Sequence, residues 1–87
     1  MLLEVKRFIE TELNYTELEQ TDTGLELVFN RGVDEYVLTL VQVDGFVKVV
    51  ETYTTNELVS SISKTHKFKS FAYLKNFLRL FNLSQRG

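Results

Sequence analysis

Glu35 to Thr54 reads EYVLTLVQVDGFVKVVETYT. Two runs rich in Val, Leu, Tyr and Thr, residue types that suit a pleated half-buried surface, flank the dipeptide Asp44-Gly45. That pair fits a two-residue type I′ turn, which needs positive φ at both central residues. A two-residue turn fixes the register: Val43 opposes Phe46, Val41 opposes Lys48, Leu40 opposes Val49 and Tyr36 opposes Tyr53. Side chains alternate along a strand, so this hairpin has two different faces. One carries Tyr36, Leu38, Leu40, Val47, Val49 and Tyr53; the other carries Val37, Val41, Val43, Phe46 and Val50, interrupted by Thr39, Lys48 and Thr52. The first is the expected core face. The second is more apolar than an ordinary solvent face.

Upstream, Gly24 to Asn30 alternates so that Leu25, Leu27 and Phe29 extend the core face while Glu26 and Asn30 point away, and Asn30-Arg31-Gly32 breaks the run. Thr21-Asp22-Thr23-Gly24 supplies turn chemistry, and Tyr15 to Thr21 predicts a modest strand. Leu2 to Leu13 predicts a helix, with Leu2, Val5, Phe8, Ile9 and Leu13 on one face and Asn14 as a left-handed C-cap. Downstream, Glu57 to Ser63 suits either a helical turn or a strand and is taken as a short edge strand. Ser70 is placed to cap a helix from Phe71 to about Asn82, whose apolar residues occupy most of its circumference and demand cover over more than half its surface. The expected fold is α+β: a single antiparallel sheet of four to five strands, with an N-terminal and a C-terminal helix on one face.

Composition agrees with one domain spanning residues 1–87. Apolar residues are 44% of the chain and charged residues 25%, enough of the first for a core and too few of the second for disorder. No apolar run approaches the roughly 20 residues of a membrane span. Charges inside MLLEVKRFIE argue against a secretory leader. With no cysteine there are no disulfides and no thiolate ligands, which fits an intracellular, cytoplasmic location.

Catalysis needs convergent groups, and the chain offers few. His66 is the single histidine and stands among lysines, so it cannot build a multi-histidine metal site. Ser60, Ser61 and Ser63 have no base nearby in sequence, and the four glycines stand singly rather than as a phosphate cradle. The expectation is a protein that is not an enzyme and that takes neither metal nor cofactor.

Binding is the better supported class, and three residue sets could carry it. The net charge of −2 hides a split: residues 1–35 hold nine acids and three bases, residues 36–87 three acids and seven bases. Glu17, Glu19, Asp22, Glu26, Asp34 and Glu35 form an acidic set that could imitate a phosphate row in a basic groove. Lys64, His66, Lys67 and Lys69, followed by Lys75 and Arg79, form a basic set that could seat phosphates, although a solvated loop is the expected form of residues 64–69. Helix, strands and a final helix entered through lysines is an order similar to that of double-stranded-RNA-binding domains. Val37, Val41, Val43, Phe46 and Val50 form the third set, an apolar patch suited to a protein partner or to a homodimer unless the final helix covers it.

Asn14-Tyr15-Thr16, Thr21-Asp22, the strand ending in Phe29-Asn30, and Glu35-Tyr36-Val37 together resemble the first half of small phage anti-CRISPR proteins of the Cas9-inhibiting type, over roughly residues 2–40. Such proteins open with a helix and pass through a tyrosine-containing segment into a twisted antiparallel sheet. The resemblance implies an inhibitor that blocks a nucleic-acid-guided nuclease by imitating DNA. The functional expectation is therefore a small non-catalytic protein-binding module, an inhibitor of a nucleic-acid-processing enzyme from a phage or mobile element. The alternative is direct nucleic-acid binding through the basic segment 64–79.

Overall fold

The central hairpin forms in the register that the Asp44-Gly45 turn dictates. In a computed structural model that describes residues 1–54 and 61–86, β3 (Asp34–Val43) and β4 (Phe46–Thr54) pair antiparallel with Val43 opposite Phe46, Leu40 opposite Val49 and Tyr36 opposite Tyr53. Gly45 takes a positive φ, at 84°, but Asp44 does not, so the two-residue connection keeps the expected register without being the type I′ turn expected from Asp44-Gly45. The Gln42 side-chain amide reinforces the turn by donating to the carbonyls of Val43 at 3.0 Å and Phe46 at 3.1 Å.

Three further strands extend the hairpin to an antiparallel sheet of five in sequential order: β1 (Glu17–Gln20), β2 (Gly24–Arg31), β3, β4 and β5 (Ser61–Phe68). β2 is joined to β3 through Gly32, at φ 62°, and Val33. In the β1–β2 turn the Thr21 N–H donates to the Gly24 carbonyl and the Gly24 N–H donates back to Thr21 Oγ1, so a threonine closes the turn from both sides. Thr16 continues the tie between β1 and β2. Its N–H donates to the Val28 carbonyl and its hydroxyl accepts from the Asn30 N–H.

The helices α1 (Leu2–Glu12) and α2 (Phe71–Arg86) lie on the face that carries Leu25, Leu27, Phe29, Leu38, Leu40, Val47 and Val49. α1 adds Val5, Phe8 and Ile9 to this core, and α2 adds Leu74, Leu78 and Phe81. Aromatic rings continue it along α2. Phe81 meets Phe29 at 5.4 Å and Tyr36 at 6.1 Å between centroids, and Phe77 meets Phe68 at 5.2 Å and His66 at 4.7 Å. These separations lie in the range where tilted aromatic pairs attract beyond simple burial.

Four further expectations need correction. Asn14 is not a left-handed cap, since no non-glycine residue described has positive φ. α1 ends instead where Leu13 turns extended, its N–H donating to the Ile9 carbonyl, while the Asn14 N–H donates to Asn82 Oδ1 at 3.0 Å. The Asn14 N–H that a left-handed cap would have turned back to a carbonyl of α1 thus goes to a side chain 68 residues away. The first strand is shorter than Tyr15–Thr21. The edge strand runs on past Ser63 to Phe68; of the expected Glu57–Ser63, Ser61 to Ser63 are strand and the first four fall outside the described residues. It takes in Lys64 to Phe68, expected as a solvated loop, because the free edge of β4 offers a row of hydrogen-bonding groups that a lysine-bearing strand can satisfy. Last, α2 is covered on one side only: Tyr73, Leu80 and Leu83 remain 70%, 68% and 58% exposed.

Two positions should be intolerant for different reasons. Asn82 is a buried polar residue holding the end of α1. Asn82→Ala leaves the Asn14 N–H short of that acceptor and should cost about 1–3 kcal/mol in denaturant unfolding; an unchanged midpoint would refute the tie. At Gly24 a Cβ would run into the Leu40 carbonyl across the ladder. Gly24→Ala should lower stability by about 3 kcal/mol through overpacking against backbone, measured by the same titration.

Candidate protein-interaction surface

Alternation along five strands gives the sheet a second face, and no described helix or strand crosses it. Its centre is Val28, Val37 and Val41 with Val50, and Val43 and Phe46 continue it at the hairpin end. None of these belongs to the core cluster. Val28 is 8% exposed, sheltered by its neighbours on the strands beside it; the others are half-buried. All five residues of the expected apolar interface therefore share one surface, on the side of the sheet away from both helices. Val28 belongs with them. Its place was open to the same alternation that put Leu27 and Phe29 in the core, but it stands beside them in a run that reads first as core.

The acidic set divides. Glu17 and Glu19 on β1, Glu26 on β2 and Glu35 on β3 stand on the open face; Asp22 lies in the β1–β2 turn, and Asp34 opens β3 opposite Arg31 on the helix-bearing side. Glu19 is directly opposite Glu26, on the same face. Like charges directly opposite across a ladder are destabilising, so this pair is a local cost that the fold does not require.

The basic set is scattered by the same geometry. Lys64 and His66 point to the helix-bearing side of β5, Lys67 to the open side, and Lys69 follows the strand. His66 Nε2 lies 3.0 Å from Glu51 Oε2 and its ring packs on Phe77. Arg79 sits 3.4 Å from Glu12 and over the Phe8 ring, and the Lys75 ammonium lies 4.9 Å from the Phe71 ring centre. His66, Lys75 and Arg79 are thus engaged on the helix-bearing side of the fold, and no single surface gathers the six bases. What the structure does bring together is Lys67 with Lys48, directly opposite each other on the open face, with Lys67 over the Phe46 ring at 5.5 Å. This is a second like-charged pair, on the β4–β5 side.

The open face is therefore polarised: acidic along β1–β2, apolar through its middle, basic along β4–β5. The two like-charged pairs could not be read from sequence, because each depends on the register of an edge strand, β1 or β5. The exposed stripe Tyr73, Leu80 and Leu83 on α2 also went unrecognised, since the helix reads as apolar nearly all round. Among the described residues no group of three or more His, Asp or Glu side chains could hold a metal ion, and no helix is long and apolar enough to cross a membrane. Comparison with protein-family models, with curated proteins and with solved structures finds no match to this chain.

Proposed function

We propose that this protein is a non-catalytic protein-binding module whose contact surface is the open face of its sheet. One observation carries the reading: a five-stranded sheet whose two helices lie on a single side leaves Val28, Val37, Val41 and Val50 contiguous on the other, between an acidic and a basic border. Monomeric proteins rarely leave large contiguous apolar patches in water, and patches rimmed by polar residues mark interaction sites. The acidic border Glu17, Glu19 and Glu26 directs this face toward a partner with a basic surface.

The inhibitor of a nucleic-acid-processing enzyme expected from the sequence is a finer form of the same reading. The acidic border would occupy the enzyme's basic groove, with the valine centre providing the part of the contact that salt does not screen. Direct nucleic-acid binding has less support, because His66, Lys75 and Arg79 are committed to Glu51, Phe71 and Glu12 rather than aligned along one groove.

A photo-reactive amino acid placed at Thr39, in the middle of the open face, should cross-link to protein; the same residue at Ala72, exposed on α2, should do so far less. Equal yields at the two sites, or none at Thr39, would refute the assignment of the face. In gel-shift titrations at low salt, where phosphate contacts are strongest, the isolated protein should not retard single- or double-stranded DNA or RNA. A shift that vanishes steeply as salt rises would transfer the function to the basic residues.

A further inference from the structure

We infer that the open face is covered by a second copy of this chain, in a two-fold pair whose axis runs along β3. The inference rests on the open face being the binding surface and adds the identity of its occupant. A basic surface that matches the acidic border is already present on the chain itself: Lys48 and Lys67, on the opposite border of the same face.

Two sheets packed face to face about a two-fold axis lying between them have two simple arrangements. An axis across the strands would stack β1 and β2 on their own copies and set Glu19 and Glu26 against Glu19 and Glu26 of the other chain. An axis along β3 stacks β1–β2 of each copy over β4–β5 of the other. The acidic pair, in the row of Thr39, then lies one row along the strands from the basic pair of the other copy, in the row of Val41, once at each border, and Val37 and Val41 of both copies meet at the centre. Stacked sheets lie about 10 Å apart and the two rows lie about 7 Å apart along the strands, a diagonal of roughly 12 Å that extended Glu and Lys side chains can span. Both like-charged pairs, Glu19 with Glu26 and Lys48 with Lys67, cost stability in a lone chain; this arrangement gives each the opposite charge it lacks.

The size is adequate. With strands about 4.8 Å apart rising about 3.4 Å per residue, a face of this extent covers on the order of 600 Å² per copy. That is close to the roughly 800 Å² each partner contributes to a standard interface. Pairing through the sheet edges has less in its favour. A β1 edge would meet acids with acids, a β5 edge lysines with lysines, and a β1 edge on a β5 edge would propagate as an open filament rather than close.

Reciprocal charge exchange tests this without altering the core. Glu19→Lys with Glu26→Lys makes both borders basic, and Lys48→Glu with Lys67→Glu makes both acidic. Each swaps one like-charged pair for another, and circular dichroism checks that both variants stay folded. By sedimentation equilibrium at about 100 µM the wild type should be a dimer. Each variant alone should dissociate at least about tenfold more readily, and an equimolar mixture should recover a dimer holding one copy of each. A monomeric wild type, or charge variants that pair with themselves as well as the wild type does, would overturn the second copy as occupant. Cross-linking from Thr39 separates that failure from failure of the binding surface. Doubled mass in the purified protein supports the pair. Cross-links formed only with another protein in host extract would overturn the pair and keep the surface, and no cross-link in either setting would remove both.

Discussion

Asp44 and Gly45 control more of this protein than any other two residues, because a strand's side chains alternate and a slip of one residue would exchange its two faces. With a two-residue turn, Leu38, Leu40, Val47 and Val49 fall on one side, all fully buried, and Val37, Val41 and Val50 on the other. A third residue in the turn would place Val50 and Lys48 beneath the helices. The Gln42 amide, bonded to carbonyls on both sides of the turn, holds this register from outside the ladder. β2 and β5 then pair with a hairpin whose faces are already distinct, and the helices dock on the side that is most apolar.

The helices stay on that side for a reason of connection as well as of hydropathy. α1 leads into β1 and α2 leaves β5, so each enters at an opposite edge of the sheet and they meet over its middle. Their meeting is held by Arg79, which sits 3.4 Å from Glu12 and over the Phe8 ring, and by the bond between Asn82 and the backbone of Asn14. That bond ties the backbone just past α1 to the last turns of α2 and gives the buried Asn82 side chain a partner it cannot lack without cost. With both helices spent on one face, the described residues contain no element to cover the other.

An uncovered sheet face would ordinarily be polar on alternate positions, as in many antiparallel sheets. Here it has valines at its centre and charges segregated by sign at its borders. Interspersed charges would serve solubility as well and would avoid the two like-charged neighbours. Segregation is more readily understood as complementarity to another surface, which raises specificity and encounter rate at the expense of the lone chain. Net charge gives no sign of this, because the acidic first part of the chain and the basic second part nearly cancel.

The sequence by itself determined the fold class, the central register and the identity of the two faces, because all three follow from local chemistry: a turn that admits few residues and an alternation with period two. It also placed both helices, from their three- and four-residue spacing. Tertiary structure decided what depends on contacts far apart in the chain. Residues 64–68 became a strand because the edge of β4 was there to pair with, and the Asn14 N–H, just past α1, found its acceptor on Asn82 rather than in a left-handed cap. Glu17, Glu19, Glu26 and Glu35 came to share a surface with the apolar set, while the basic set, close together in sequence, was divided between two faces by the alternation of β5 and drawn into pairs with Glu51, Glu12 and the rings of Phe8 and Phe71. Local rules say which way a side chain points; only the pairing of distant strands says what it points beside.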